Sequence, residues 1–161
     1  MDRDLIDQYA NGGDKLSLAI RGLTRDDLLA VPDAGANVGK WSIQQVVIHL
    51  CDCEQVHADR MKRVIAEDNP PLMAFDENKW VAALNYADQS AEDAVQLVTL
   101  LRKQLATTLR KLPDAAFARA GMHSETGRKT LEDLLRGTVN HFEHHLKFIH
   151  EKRAKMGKEM W

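Results

Sequence analysis

From Leu131 to Ile149 the apolar positions recur with the period of a helix: Leu131, Leu134, Leu135, Thr138, His141, Phe142, His145, Phe148 and Ile149 share one face. Three further segments show the same periodicity. One starts at Ser42, whose capping partner Gln45 follows three residues later, and runs to about Glu67 before Asn69-Pro70-Pro71 stops it. Another runs from Ser90, with Asp93, to about Lys111, and Thr130 with Asp133 opens the last, which reaches about Met156. The first segment, about Asp2 to Leu23, carries Leu5, Ile6, Tyr9, Leu16, Ile20 and Leu23 at helical spacing and is interrupted by Gly12-Gly13. Each glycine costs a helix about 1 kcal/mol relative to alanine, so the pair marks either a kink or a close helix contact.

No segment alternates apolar and polar residues over a strand's length. The pattern predicts an all-α four-helix bundle with long inter-helix loops, forming a single domain over 1–161 with residues 156–161 as a tail. Three connections are long: Pro32 to Lys40, Asn69 to Gln89, and Pro113 to Lys129, which contains the polar stretch Gly121 to Gly127. Long connections in a compact bundle often help to build a site. The charges from Glu151 to Glu159 read as a solvated helix end and tail.

At 161 residues and 44% hydrophobic composition, the chain suits one core that folds without staples. A formal charge of −2 without a clustered basic face argues against nucleic acid or an anionic membrane as the partner. No apolar run reaches membrane-span length, and the charged start Met1-Asp2-Arg3-Asp4 lacks a following apolar stretch, so a soluble, cytoplasmic protein is expected. Cys51 and Cys53 sit one residue apart on a helix, point to nearly opposite faces and cannot bridge, which fits a reducing compartment.

His141 and His145, at i and i+4, replace core hydrophobes in adjacent turns, where two imidazoles can converge on one ion. Such a pair also occurs as hydrogen-bonded core histidines, so the metal reading needs a third ligand. The Ser42 helix offers three candidates at four-residue intervals, His49, Cys53 and His57, beside Val46, Leu50 and Met61. Spacing alone leaves that choice open.

Three motifs in order carry a family resemblance: Lys40-Trp41-Ser42 leading to His49-Leu50; Phe75-Asp76-Glu77-Asn78-Lys79-Trp80; and Thr130-Leu131-Glu132-Asp133 leading to Asn140-His141-Phe142-Glu143-His144-His145. Together they resemble the DinB/YfiT-like superfamily of small metal-binding four-helix bundles, in particular its YfiT-like branch. The resemblance implies that His49, His141 and His145 are the metal ligands and that zinc or nickel is the ion. Three neutral imidazoles leave coordination positions open, as in catalytic rather than structural sites.

The resemblance further implies a metal-dependent enzyme acting on a small molecule, with two chemistries to weigh: transfer of a low-molecular-weight thiol to an electrophile, which is preferred, and hydrolysis by an activated water. A non-catalytic protein with a structural metal is the rival from another class, with Cys53 completing the ligand set. His57 and Cys53 read as core residues near the metal, with Cys53 the reserve ligand, and His144 as an orienting or neighbour-facing residue. His150 belongs on the surface, and Trp41 and Trp80 are packing anchors, Trp80 also a candidate pocket wall. Asp76 and Glu77 are the weak candidates for acid, base or supporting carboxylate. A homodimer is expected from the family.

Overall fold

Ser42 starts the helix that carries half of the expected site. Its hydroxyl accepts from the Gln45 amide at 3.2 Å, and the Gln45 side chain accepts from the Ser42 amide at 2.9 Å. The computed structural model describes residues 3–31 and 39–159. Most of the connection expected at Pro32 to Lys40 therefore lies outside the described residues, as do Met1, Asp2, Met160 and Trp161.

The Ser42 helix, α4, spans Ile43–Ala66 and ends where Asn69 turns to φ 46° ahead of Pro70-Pro71. Ser90 caps α6, Ala91–Lys111, and a Thr130/Asp133 capping box opens α7, Leu131–Lys155. These three agree with the boundaries read from the sequence to within a residue or two. The fourth bundle member is broken rather than continuous: α1, Asp4–Ala10, meets α2, Gly12–Ile20, at Asn11.

The glycines explain the break by close approach. A Cβ on Gly13 would lie 2.7 Å from the Thr99 Cα of α6, and one on Gly12 only 1.9 Å from Arg102 Nη1. Removing two side chains lets α2 settle directly on α6, and the helix-propensity cost is offset by packing. A short helix not anticipated from the pattern, α3 (Arg25–Leu29), follows, and Thr24 and Asp27 cap it with a box of their own.

The long connections are built rather than open. Between α4 and α6 lie β1 (Pro71–Leu72) and α5 (Glu77–Ala83). Between α6 and α7 a hairpin forms from β2 (Ala120–His123) and β3 (Gly127–Thr130), with β1 parallel to β2 in a three-stranded sheet. The polar stretch Gly121 to Gly127 is thus a hairpin, not an irregular loop. Gly121 permits it, since a Cβ there would meet the Pro70 carbonyl at 2.7 Å. Arg119 then ties the hairpin to the end of α4, donating to the carbonyls of Val64 at 3.0 Å and Glu67 at 2.8 Å.

The charged C-terminal segment departs from the expected solvated end. Lys152 is 1% exposed and donates to the Gly39 carbonyl at 3.2 Å. Buried Arg153 donates to the carbonyls of Ala19, Arg21 and Lys158, and Lys158 pairs with Asp27 of α3. Arg153 closes the bundle end by satisfying carbonyls that α2 leaves open at its C-terminus. No helix among the described residues is long and apolar enough to cross a membrane.

Two apolar clusters fill the interior. One gathers Ile43, Val47, Leu50, Val98, Phe142 and Ile149, and the other Ile6, Met61, Leu105, Phe117, Leu131 and Leu135. Each such side chain stabilises the fold by roughly 1.5–3 kcal/mol when fully buried. In the same interior lies a polar knot. Arg102 of α6 donates to Glu54 of α4 at 2.7 Å and to the Tyr9 carbonyl at 3.1 Å, while the Tyr9 hydroxyl donates to the other Glu54 oxygen. The Arg102 guanidinium also stacks over the Phe142 ring, 3.8 Å from its centroid, so all four bundle members are joined at one level. Burial and the Glu54 carboxylate push the Tyr9 hydroxyl far above its ordinary pKa, which keeps it a proton donor.

Candidate metal centre

His49 projects from the second turn of α4 and His141 from the middle of α7, and antiparallel packing of the two helices brings them level. Their Nε2 atoms lie 3.3 Å apart. Two nitrogens bound to one tetrahedral zinc at about 2.0–2.1 Å lie roughly 3.4 Å apart, so the pair is spaced for a shared cation. The His145 ring packs edge-on against both, with centroids 4.7 Å from His49 and 4.5 Å from His141. Its Nδ1 is buried and has no hydrogen-bond partner among the described residues. An orphaned ring nitrogen in a buried cluster of imidazoles leaves a donor available to a cation.

Cys53 also reaches the cluster. His49, Cys53 and His141 each offer a donor atom within 4.8 Å of the other two, a possible metal set that does not include His145. The Cys53 sulfur, however, lies 3.6 Å from His49 Nδ1 and 3.4 Å from Nε2. A sulfur nearly equidistant from both ring nitrogens sits over the ring or beside the carbon between them, off the lone-pair axis of either. Burial pushes its thiol pKa up, so without a cation it remains protonated.

The other sequence candidates separate clearly. His57 lies farther out, 5.8 Å from His141 by ring centroids, and His144 is exposed with its ring against Phe148. His150 is on the surface, and Cys51 and Cys53 are both buried and free. Asp76 caps α5, accepting from the amides of Asn78 and Lys79, and this occupies its carboxylate. Glu77, next along, is close enough for its charge to act on both His141 and Cys53. Trp41 does more than anchor the core: it lies parallel to the His145 ring at 6.3 Å and walls the site.

Two clefts open on the cluster from different sides. One, of about 280 Å³, reaches His145 between Trp41, Val46 and Phe148. The other, of about 260 Å³, reaches His141 and His57 between α4, α7 and the hairpin. Its lining includes Arg60, His123 and Lys129, residues the sequence reading passed over because the hairpin that gathers them was not foreseen.

Burial is the first cause of a common electrostatic state. It holds His49 at about 4 and His57 and His145 at about 3, with neighbouring imidazoles lowering each further, and it lowers His141 as well. All four imidazoles are neutral at pH 7. In the unfolded chain they titrate near 6.5, so between about pH 6.5 and 4 the unfolded state binds more protons and stability rises with pH. Each of these histidines is therefore expected to cost metal-free protein on the order of 1 kcal/mol per pH unit on acidification below 6.5. Urea melts at pH 7, 6 and 5 check this, and an unchanged midpoint would contradict it.

The DinB superfamily model matches residues 8–149, nearly the whole chain. The chain belongs to the DinB superfamily. Among its DinB relatives, YfiT of Bacillus subtilis is 30% identical over 144 residues, covering 89% of this chain and 79% of that one. A relative from Oceanobacillus iheyensis is 26% identical over 145 residues, covering 90% and 84%. The names of both include the words "metal-dependent hydrolase". The solved structure of YfiT superposes with a TM-score of 0.85 at 28% identity, covering 96% of this chain and 86% of that one. It is described as "a probable metal-dependent hydrolase with an unusual four-helix bundle topology". This DinB chain shares that bundle and carries a candidate metal site within it.

Proposed function

We propose that the protein is a metal-dependent enzyme in which His49, His141 and His145 hold a divalent cation, and that its reaction is transfer of a thiol to a small electrophile. The observation that supports this reading is a cluster of three neutral imidazoles packed ring against ring, with two separate clefts reaching it. Such a donor set suits a borderline cation such as zinc or nickel. When bound, the cation supplies a lowered pKa for a thiol or water brought to it, and so a nucleophile near neutral pH.

Two clefts favour the bimolecular reaction, because a hydrolase needs room for one organic substrate while a thiol transferase must seat two. The thiol proton leaves to a base, the sulfur bonds the electrophilic carbon, and the leaving group departs with its electron pair. Glu77, whose charge reaches the cluster, is the chain's candidate proton acceptor, since Asp76 is committed to its helix cap. Trp41 and Phe148 exclude water from the side of His145 and give an apolar electrophile a surface to pack on. The relatives' names support hydrolysis as the second reading.

Protein purified without a nickel column, stripped and reloaded with zinc or nickel, is incubated with an electrophile and a panel of thiols. Metal-dependent conjugates detected by mass spectrometry are the expected result. Turnover of esters or amides without thiol would replace transfer by hydrolysis, and failure to bind metal at all would remove both.

A further inference from the structure

Arg60 is a buried cation without an ion pair. It is 8% exposed, and none of the ion pairs among the described residues includes it. Its Nη2 donates to the Met73 carbonyl, while its Nε is buried with no partner. Arginine cannot relieve burial by giving up its proton, and an unpaired buried charge costs several kcal/mol. A position that keeps such a charge is built for an anion that arrives from outside.

The surroundings agree. Arg60 lines the cleft that ends at His57 and His141, and β3 contributes Lys129 to the same cleft. Asp133 is the carboxylate in that lining, and it accepts from the Thr130 amide in the capping box of α7. Asp59 and Glu125 act on Arg60 through their charge without forming an ion pair with it. Two cations, Arg60 and Lys129, and one carboxylate committed to a helix cap line the cleft. The hairpin that holds Lys129 is pinned by the close Gly121 contact with Pro70 and by Arg119, so the arrangement is set before any ligand enters.

We propose that Arg60 and Lys129 form a subsite for the oxyanion of a small-molecule substrate, a carboxylate or a phosphate, whose remainder extends along the cleft toward His141. The guanidinium fork matches either group, and Lys129 adds a point charge. The subsite deepens the enzymatic reading above and rests on it for its purpose, but its occupation by an anion does not require the metal.

The test uses ¹⁵N-labelled protein, metal-free and zinc-loaded, titrated at constant ionic strength. Succinate and its neutral analogue succinamide are added to both forms, and inorganic phosphate to the metal-free form, while the Arg60 Nε–H signal is followed. Saturable shifts with the anions and none with succinamide are expected in both forms, and the tighter of succinate and phosphate assigns the oxyanion class. Lys129→Gln should weaken binding by about threefold. Arg60→Gln should weaken it by roughly tenfold or more, read on the Thr130 and Gly137 amides. If Arg60→Gln fails to fold, Lys129→Gln and the wild-type Arg60 signal still decide the matter. Equal shifts with succinamide, no saturable shift, unchanged affinity in Lys129→Gln, or a response confined to zinc-loaded protein would each overturn the subsite. Anion binding in a protein that takes up no zinc would keep the subsite and remove the metal reading instead.

Discussion

Glu54→Ala is expected to destabilise the protein by about 3–5 kcal/mol, a large part of the 5–15 kcal/mol typical of a whole domain. The substitution leaves the Arg102 guanidinium, 1% exposed, without its carboxylate and the Tyr9 hydroxyl without its acceptor. Arg102 cannot swing out to water, because its Nη1 is packed against Gly12 and its guanidinium against Phe142. The loss should lower the melting temperature by roughly 10 °C or more, measured on metal-free protein so that metal binding does not mask it. Replacing the pair together, as Glu54→Leu with Arg102→Met, removes both charges and should recover much of the loss. A single variant within 1 kcal/mol of wild type would show that the knot is not held by its charges. Because Glu54 adjoins Cys53 and Phe142 adjoins His141, the same network fixes the register in which α4 and α7 present their histidines.

That network was open to inspection in the sequence, since Val98, Arg102, Leu105 and Leu109 place a cation in the apolar stripe of α6, as Glu54 places an anion inside α4. Periodicity shows that a charge lies inward but not which partner it meets, because the partner is chosen by helix packing across 48 residues of chain. The same limit governs the site. The period-3.6 pattern and three capping signals located α4, α6 and α7 closely, and placed His49, His141 and His145 inward, because these depend on local sequence. The hairpin did not show, as its strands are too short for alternation to register and pair partly with Pro71 and Leu72, about fifty residues earlier. The second cleft, with Arg60 and Lys129, was hidden with it. Lys152 and Arg153 depart from the expected solvated end for a related reason: a charged helix end is solvated unless the fold delivers unsatisfied carbonyls to it, and here Gly39 supplies one to Lys152 and the end of α2 supplies two to Arg153.

His141→Ala is expected to abolish stoichiometric metal binding, with a loss exceeding the roughly 10–100-fold that follows from altering a residue merely supporting a ligand. His141 is common to both donor sets, so it tests the centre as a whole: its Nε2 lies 3.3 Å from His49 Nε2. His145→Ala and Cys53→Ala then separate the sets. If the orphaned Nδ1 marks His145 as the third ligand, its alanine variant loses metal while Cys53→Ala retains it, because the sulfur lies off the lone-pair axis of His49. The reverse order would assign the site to His49, Cys53 and His141, and a thiolate contribution would then appear as a sulfur-to-metal charge-transfer band in the cobalt-substituted protein. All variants should keep wild-type helicity, since the knot at Glu54 and Arg102 and not the metal joins the four bundle members. Collapse of the fold on chelation would make the ion structural and leave no open position for a substrate.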